Sequence, residues 1–445
     1  MMSKPPGSDH SQSVKKLGPF WLMPGITKIN GLTYFVSAML AVPMMAALSF
    51  LQPMMMKLVG VDRVIQGTLS GDLVFYQECV VLLLTPFIGA LADKLDRRPL
   101  LMLGIALLGI GYAFYPFADS IFMMYAYRTI FAAGLALVAT VISIINMDYV
   151  QDRSRGKWVA LASMTQGLGI FALTQILRRL PAEFAKMGFS EALTAKYLFW
   201  GCTGICLFLF LIATFGLSRK KPAEAREREP LFSLVRLGLT AARENSRIAL
   251  AYGCAFAARG DVLVVGTFGF LWTQQAAEDL GLGIAAGYQR GGIIFGVVQG
   301  SALIWAMMMG AILDKIDRVT GVIIAFSLSA VGYTVFGLVE DPFSSRIFIP
   351  AIILGMGESS TIIAGNALIG QSAPAPIRGT VLGSYALFGA FGILIATALG
   401  GRLFDLWMPG APFVQMGIIN SMILTAAIIV RIRTGRFLPV RIRDA

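Results

Sequence analysis

Of 445 residues, 56% are hydrophobic and only 14% are charged, a balance far outside that of a soluble domain. A bilayer-crossing helix takes about 20 mostly apolar residues, and twelve such runs are present, so the expected fold class is an all-α polytopic membrane protein. The formal net charge of +12 invites a nucleic-acid ligand, but the Lys and Arg residues crowd into alternate connections between apolar runs, and no nucleic acid is expected.

Residues 1–28 form a polar, basic tail without a short apolar core or cleavage site, so no removable signal peptide is expected. The single His, His10, lies there and cannot serve a proton relay in the membrane. Spans are predicted over 30–56, 73–93, 99–117, 121–147, 157–179 and 197–217, then 248–272, 292–313, 320–339, 346–369, 380–403 and 412–430. Most of the 37 Lys and Arg residues fall on the side of both termini, which the positive-inside rule assigns to the cytoplasm.

The division that follows is a first six-helix bundle over 29–217, a cytoplasmic linker over 218–247, a second bundle over 248–430 and a basic tail over 431–445. The linker is rich in Arg, Lys and Glu, and its amphipathic patch Leu231–Ala242 predicts a surface helix at the headgroups. The basic tail is expected on the anionic inner leaflet, with membrane lipids as partners. Segments Pro181–Lys196 and Thr273–Arg290 are longer than hairpins need and suggest short helices at the outer rim. Cys79, Cys202, Cys206 and Cys254 all sit inside apolar runs and read as packing residues.

One stretch organises the chain. GALADKLDRRPLL, Gly89 to Leu101, returns as GAILDKIDRVTGV, Gly310 to Val322, about half a chain length later. Arg155-Gly156 and Arg378-Gly379 repeat at nearly the same offset. Two landmarks at one spacing imply two homologous halves of several helices each. Here the chain resembles the major facilitator superfamily, whose loop signature between the second and third helices runs Gly-x-Leu-Ala-Asp-Arg-x-Gly-Arg-Lys. Gly89, Leu91, Ala92, Asp93, Arg97 and Arg98 match it. Lys94 replaces an Arg, while Asp96 and Asp317 stand where the family has Gly. The resemblance implies twelve helices in two bundles and a gating role for this loop and its repeat, here Gly89, Asp93, Arg97, Arg98, Gly310, Asp314 and Arg318. Asp93 and Asp314 lie at the membrane edge, where each could latch onto a helix N-terminus such as those opening near Gly156 and Gly379.

Ionisable groups deep in a bilayer cost about 2.5–3.5 kcal/mol each on insertion scales, so five are singled out: Glu78, Arg128, Arg259, Asp261 and Glu358. Three acids against two bases leave one carboxylate unpaired, and such a group can carry a proton near neutral pH. Glu78 and Arg128 both lie roughly 10 Å deep at 1.5 Å per residue, so a pair across the first bundle is expected. Arg128 with Gly134 is similar to the family's fourth-helix Arg–Gly signature, which is associated with proton transfer. Arg259 and Asp261 point about 200° apart on a helix. One is expected to face substrate and the other a neighbouring helix, with Glu358 a candidate partner for Arg259. For all five, a structural ion-pair role stands beside the coupling role.

Adaptable Met clusters at Met44, Met45, Met54–Met56 and Met307–Met309 suit either packing or a bulky apolar ligand. Gln166 and Gln299, each followed by Gly, are weaker cavity candidates. No metal-ligand spacing, nucleophile elbow or nucleotide loop is present, so neither enzyme nor pump is expected, and no cofactor or metal. The fifth helix lacks the Gly-Pro signature of the family's drug/proton antiporters. The reading is a monomeric secondary transporter of a small organic compound, amphipathic or drug-like, working by alternating access with protons, in a bacterial inner membrane. An organic-anion carrier and a non-transporting receptor or assembly factor on the same scaffold are the alternatives.

Overall fold

A computed structural model describes residues 16–218 and 231–434, with side chains omitted for 231–235. His10, residues 219–230 of the linker and the last tail arginines lie outside the described residues. Twelve of its helices are long and apolar enough to cross a membrane. The first half contains α1 (Lys28–Val59), α2 (Gln66–Lys94), α3 (Arg97–Phe114), α4 (Ile121–Asp148), α5 (Asp152–Lys186) and α6 (Glu191–Gly216). The amphipathic α7 (Leu231–Glu244) follows. The second half contains α8 (Ser246–Asp279), α9 (Ile284–Leu313), α10 (Arg318–Gly337), α11 (Phe348–Ser372), α12 (Arg378–Leu406) and α13 (Ala411–Thr434).

Helix starts follow side-chain capping, which satisfies N–H groups that a helix cannot. Thr27 and Asn30 form a reciprocal capping box on α1. Ser120 caps α4, Ser190 caps α6 and Asn245 caps α8. Asp317, one of the two departures from the loop signature, caps α10 through the Val319 and Thr320 N–H groups. The expected separate rim helices do not form. Instead α5 runs on to Lys186 and α8 to Asp279, with α9 starting at Ile284, because polar residues beyond the bilayer continue a helix as readily as they start one.

The repeat seen in sequence is also a repeat of packing. Gly111 sits on Phe131 where α3 meets α4, and Gly332 sits on Leu354 where α10 meets α11. Gly169 of α5 lies on the Met39 carbonyl of α1, and Gly392 of α12 on the Phe256 carbonyl of α8. Neither of the last two positions has room for a Cβ, so only Gly lets these backbones meet. The two signature loops correspond as well. Arg97 Nη1 donates to the Ala92 carbonyl and Arg318 Nη1 to the Leu313 carbonyl, each closing the end of the preceding helix.

We call the side carrying residues 16–27 and 431–434 the terminus face and the opposite side the loop face. On the terminus face a hairpin of β1 (Lys16–Leu17) and β2 (Phe20–Trp21) plugs the first half. Phe20 packs edge-on against Trp158, while Trp21 lies between Lys16 and Arg153. In the second half α7 rests on α12, with Gly238 against Ser384 and the Tyr252 hydroxyl donating to the Gly238 carbonyl at 3.2 Å.

Candidate functional site

The two halves meet along two antiparallel seams, α2 with α12 and α5 with α9. On the first seam Gly71 lies against the Thr397 carbonyl and Gly401 against the Gly67 carbonyl. On the second, Gly292 lies on the Arg178 side chain and Gly296 on Gln175.

Toward the loop face these seams are sealed. Arg63 makes a two-pronged pair with Asp279 at 2.5 and 2.6 Å. Lys57 reaches Glu278 at 3.5 Å, and Arg402 reaches Asp72 at 2.9 Å. Below them Gln275 donates to Gln66 at 3.1 Å, and Tyr288 donates to the Phe50 carbonyl at 3.0 Å. Phe50 packs across the halves against Phe270, tilted, and Phe295, edge-on, and one apolar cluster runs through both. The Asp405 carboxylate accepts from the Gly67 and Thr68 N–H groups at 2.8 and 2.6 Å. A carboxylate of the second half thus caps a helix of the first.

Toward the terminus face the seams part. Thr85 of α2, seven residues beyond Glu78 on the same helix face, is exposed, as is Leu382 of α12. Nothing lies beside Gly156 of α5, Gly310 of α9 or Gly379 of α12.

Between the sealed and open ends lie the intramembrane charges. Glu78 continues the α2 stripe of Gly67 and Gly71, since residues seven apart share a helix face. Counting along the antiparallel seam from the Gly71–Thr397 contact, Glu78 stands level with Gly389 and Ala390 of α12. The Arg259 side chain crosses α12 at that glycine, where a Cβ would lie 2.8 Å from its Cγ. Arg259 is exposed, Glu78 is half-buried, and the arginine's charge acts on the carboxylate. Neither forms an ion pair within 4.0 Å among the described residues. The expected pairs of Glu78 with Arg128, and of Arg259 with Glu358, are therefore corrected: Glu78 faces Arg259, across the halves.

Arg128 is fully buried within the first half, where Nε donates to Gln77 at 3.1 Å and Nη1 to Gln52. The residue that faces it is Gln77. Glu78 is one position further on, and one residue turns a helix side chain by about 100°. Asp261 is also fully buried, on the opposite side of α8 from Arg259. It accepts from Asn420 Nδ2 at 2.9 Å and from Ser329 Oγ at 3.2 Å. No unwinding occurs at Gly260, since α8 is continuous. Glu358 accepts from Gln299 Nε2 at 3.3 Å. Gln166 is half-buried on α5.

The signature loops sit on the terminus face. Gly89 is buried, Arg97 pairs with Asp148 at 3.1 Å, and Arg98 is half-buried. Asp93 is half-buried near the end of α2, while Asp314 is exposed at the end of α9. Met44 and Met54–Met56 are core packing, whereas Met307 and Met308 are exposed. The four cysteines are free thiols, three of them buried.

Sequence reasoning missed Asp405, Gln66 and Gln275. The only trace is an acid at the end of one apolar run and a Gln-Gly-Thr start on another, and only the folded seam joins them.

Two repeat-related halves of six membrane-length helices, sealed at one face and parted at the other, define a transporter fold. The chain belongs to the Major Facilitator Superfamily, whose sequence model matches residues 32–397 and again 291–440. It is similar to the magnetosome protein MamH of Paramagnetospirillum magneticum, 25% identical over 404 residues, 89% of this chain and 90% of that protein. It is also similar to the magnetosome protein MamZ of the same organism, 24% identical over 84% of this chain, which spans 58% of MamZ. Among solved structures, a point mutant of the nucleoside transporter NupG superposes with a TM-score of 0.71 at 12% identity, covering 90% of this chain and 99% of that one.

Proposed function

We propose that this chain is a secondary transporter of a small organic compound, working by alternating access and coupled to protons. The observation that carries the proposal is the Glu78–Arg259 juxtaposition. A carboxylate and a guanidinium from different halves face each other between a sealed end and an open one, and among the described residues neither is paired within 4.0 Å. A substrate group that bridges them would bind both halves at once. That is how differential binding can favour one arrangement over another.

With both termini in the cytoplasm, as the Lys and Arg distribution favours, the open face is the inner one and this conformation faces inward. The membrane proposed is the bacterial inner membrane; the likeness to magnetosome proteins adds a magnetosome membrane as a second setting. The substrate proposed is amphipathic, with at least one polar ionisable group. A second reading, an organic anion, is favoured by the exposed Arg259. The Met-rich part of α1 lends no support to a bulky-ligand pocket, because it is core packing.

Proteoliposomes with a trapped pH dye test this. Cationic, zwitterionic and anionic compounds are added to wild type, Glu78→Gln and Arg259→Gln. The proposal expects one class to move protons in wild type, with at least a tenfold loss in either variant. Flux unchanged in both variants would remove the seam pair from the mechanism. No flux with any class, together with a co-purifying protein partner, would favour the receptor or assembly role.

A further inference from the structure

The second half contains a polar cluster away from the seam. Asp261 of α8, Ser329 and Tyr333 of α10, Glu358 of α11 and Asn420 of α13 converge there, and none is more than 5% exposed. Ser329 and Tyr333 are four residues apart and share one face of α10. The helices come close because Gly357 presents no side chain to Ser329, whose Cα would lie 2.5 Å from a Cβ.

The charges do not balance. The groups that act on Asp261 are Asn420, Ser329 and Glu358, and those on Glu358 are Gln299 and Tyr333. Helix α9 contributes only the neutral Gln299, and α13 only the neutral Asn420. The nearest base in sequence, Arg259, leaves the far side of α8. Among the described residues, then, two carboxylates share a buried site with no basic side chain. Removing even one carboxylate from water is costly, and two adjacent ones cannot both remain charged without a cation. The hydrogen-bond inventory has gaps in the same place. Glu358 Oε2 and the Tyr333 hydroxyl are buried and unpartnered, yet the hydroxyl is close enough to feel the charge of both carboxylates. Unmet buried polar atoms call for a missing proton, ion or water.

We infer that Asp261 and Glu358 hold one exchangeable proton between them, with the Tyr333 hydroxyl as the bridge. With the proton on Glu358 Oε2, that O–H donates to the tyrosine oxygen, whose own O–H turns to Asp261. Reversing both bonds delivers the proton to Asp261 and returns the tyrosine unchanged. The site lies wholly in the second half, so proton and substrate occupy different places and communicate through α8, which carries Asp261 on one side and Arg259 on the other. This deepens the proposed proton coupling and rests on it for its role, but its existence is tested without transport.

The test is an infrared pH titration of the full chain in nanodiscs, following the carbonyl stretch of protonated carboxyl groups, with and without sodium. The expected result is a titrating band equal to one carboxyl per chain, insensitive to sodium. Asp261→Asn should make Glu358 titrate as a single independent group, and Glu358→Gln should do the reverse for Asp261. Tyr333→Phe, the conservative variant that keeps the packing, should retain the band but move both its frequency and its midpoint. A band that persists unchanged in Asp261→Asn and Glu358→Gln alike would overturn the inference. So would a band that sodium abolishes at constant pH, which would assign the site to a metal ion. An unshifted Tyr333→Phe band would remove the bridge.

Discussion

The carboxylate of Asp405, on the last turn of α12, seats on the first turn of α2, its Oδ2 accepting from the Thr68 N–H at 2.6 Å. An acid at a helix N-terminus gains both hydrogen bonds and the helix dipole, and here the two partners belong to different halves. The ion pairs around it count for less. Arg63, Asp279 and Arg402 are roughly half exposed, and exposed pairs contribute about 0–1 kcal/mol each. The seal at the loop face therefore rests chiefly on this cap, the glycine-lined seam and the shared aromatic cluster.

Replacing Asp405 with Asn keeps one acceptor and removes the charge. The expected cost is about 1 kcal/mol of preference for the sealed loop face, a shift of roughly fivefold in the population that opens there. Labelling of a cysteine placed at Thr68 by a membrane-impermeant maleimide should speed up by about that factor.

Gly71→Ala puts a methyl into the Thr397 carbonyl. Backbone cannot yield as a side chain does, so overpacking by about 1–3 kcal/mol is expected, falling on the sealed state alone. The variant should accumulate loop-face-open molecules without losing thermal stability in proportion. Gly401→Ala, which meets the Gly67 carbonyl at 2.5 Å, should behave alike; accessibility and melting temperature measured together would separate this from simple unfolding.

Gly389→Ala confronts Arg259 at its Cγ, 2.8 Å away. A flexible side chain can swing aside, so the fold should survive, but the guanidinium would leave its path toward Glu78. Substrate-driven flux is expected to fall at least tenfold with near-normal melting. Gly383→Ala, on the same helix in open space, is the control and should leave flux unchanged.

Arg128 is held as a fork between two glutamine oxygens, fully out of reach of water. Lysine has the charge without the fork. Arg128→Lys should strand Gln52 or Gln77 and lower stability by about 2–3 kcal/mol, read as a drop in melting temperature in detergent. Full stability would show that the glutamines find other partners.

The twelve spans, the two-fold repeat and the helix between the halves were legible because each rests on local signals: apolar length, recurring loop residues and 3.6-residue amphipathicity. The five intramembrane charges were legible for the same reason, being improbable where they stand. Their partners were not. Depth along the membrane follows from counting residues, and by depth Glu78 and Arg128 match. Azimuth does not follow, and a single position places Gln77 on the core side of α2 and Glu78 on the seam. Arg259 and Asp261 show the other case. Their 200° separation was readable and holds, but which side belonged to the seam needed α12 and α13 in place. Asp405 was silent in sequence because a cap formed between helices 337 residues apart has no local pattern.

Alternating access of the two halves is the central claim, and paired spin-label distances test it without knowing the substrate. One pair sits at the loop face, at Val64 and Leu280, and the other at the terminus face, at Lys94 and Ala375, with Cys79 replaced by Ser. Breaking the seal with Asp405→Asn plus Arg402→Ala should populate a longer loop-face distance and, in the same fraction of molecules, a shorter terminus-face distance. A loop face that loosens while the terminus-face distance stays fixed would contradict the account, since the halves would then not move as a see-saw about the Glu78–Arg259 level.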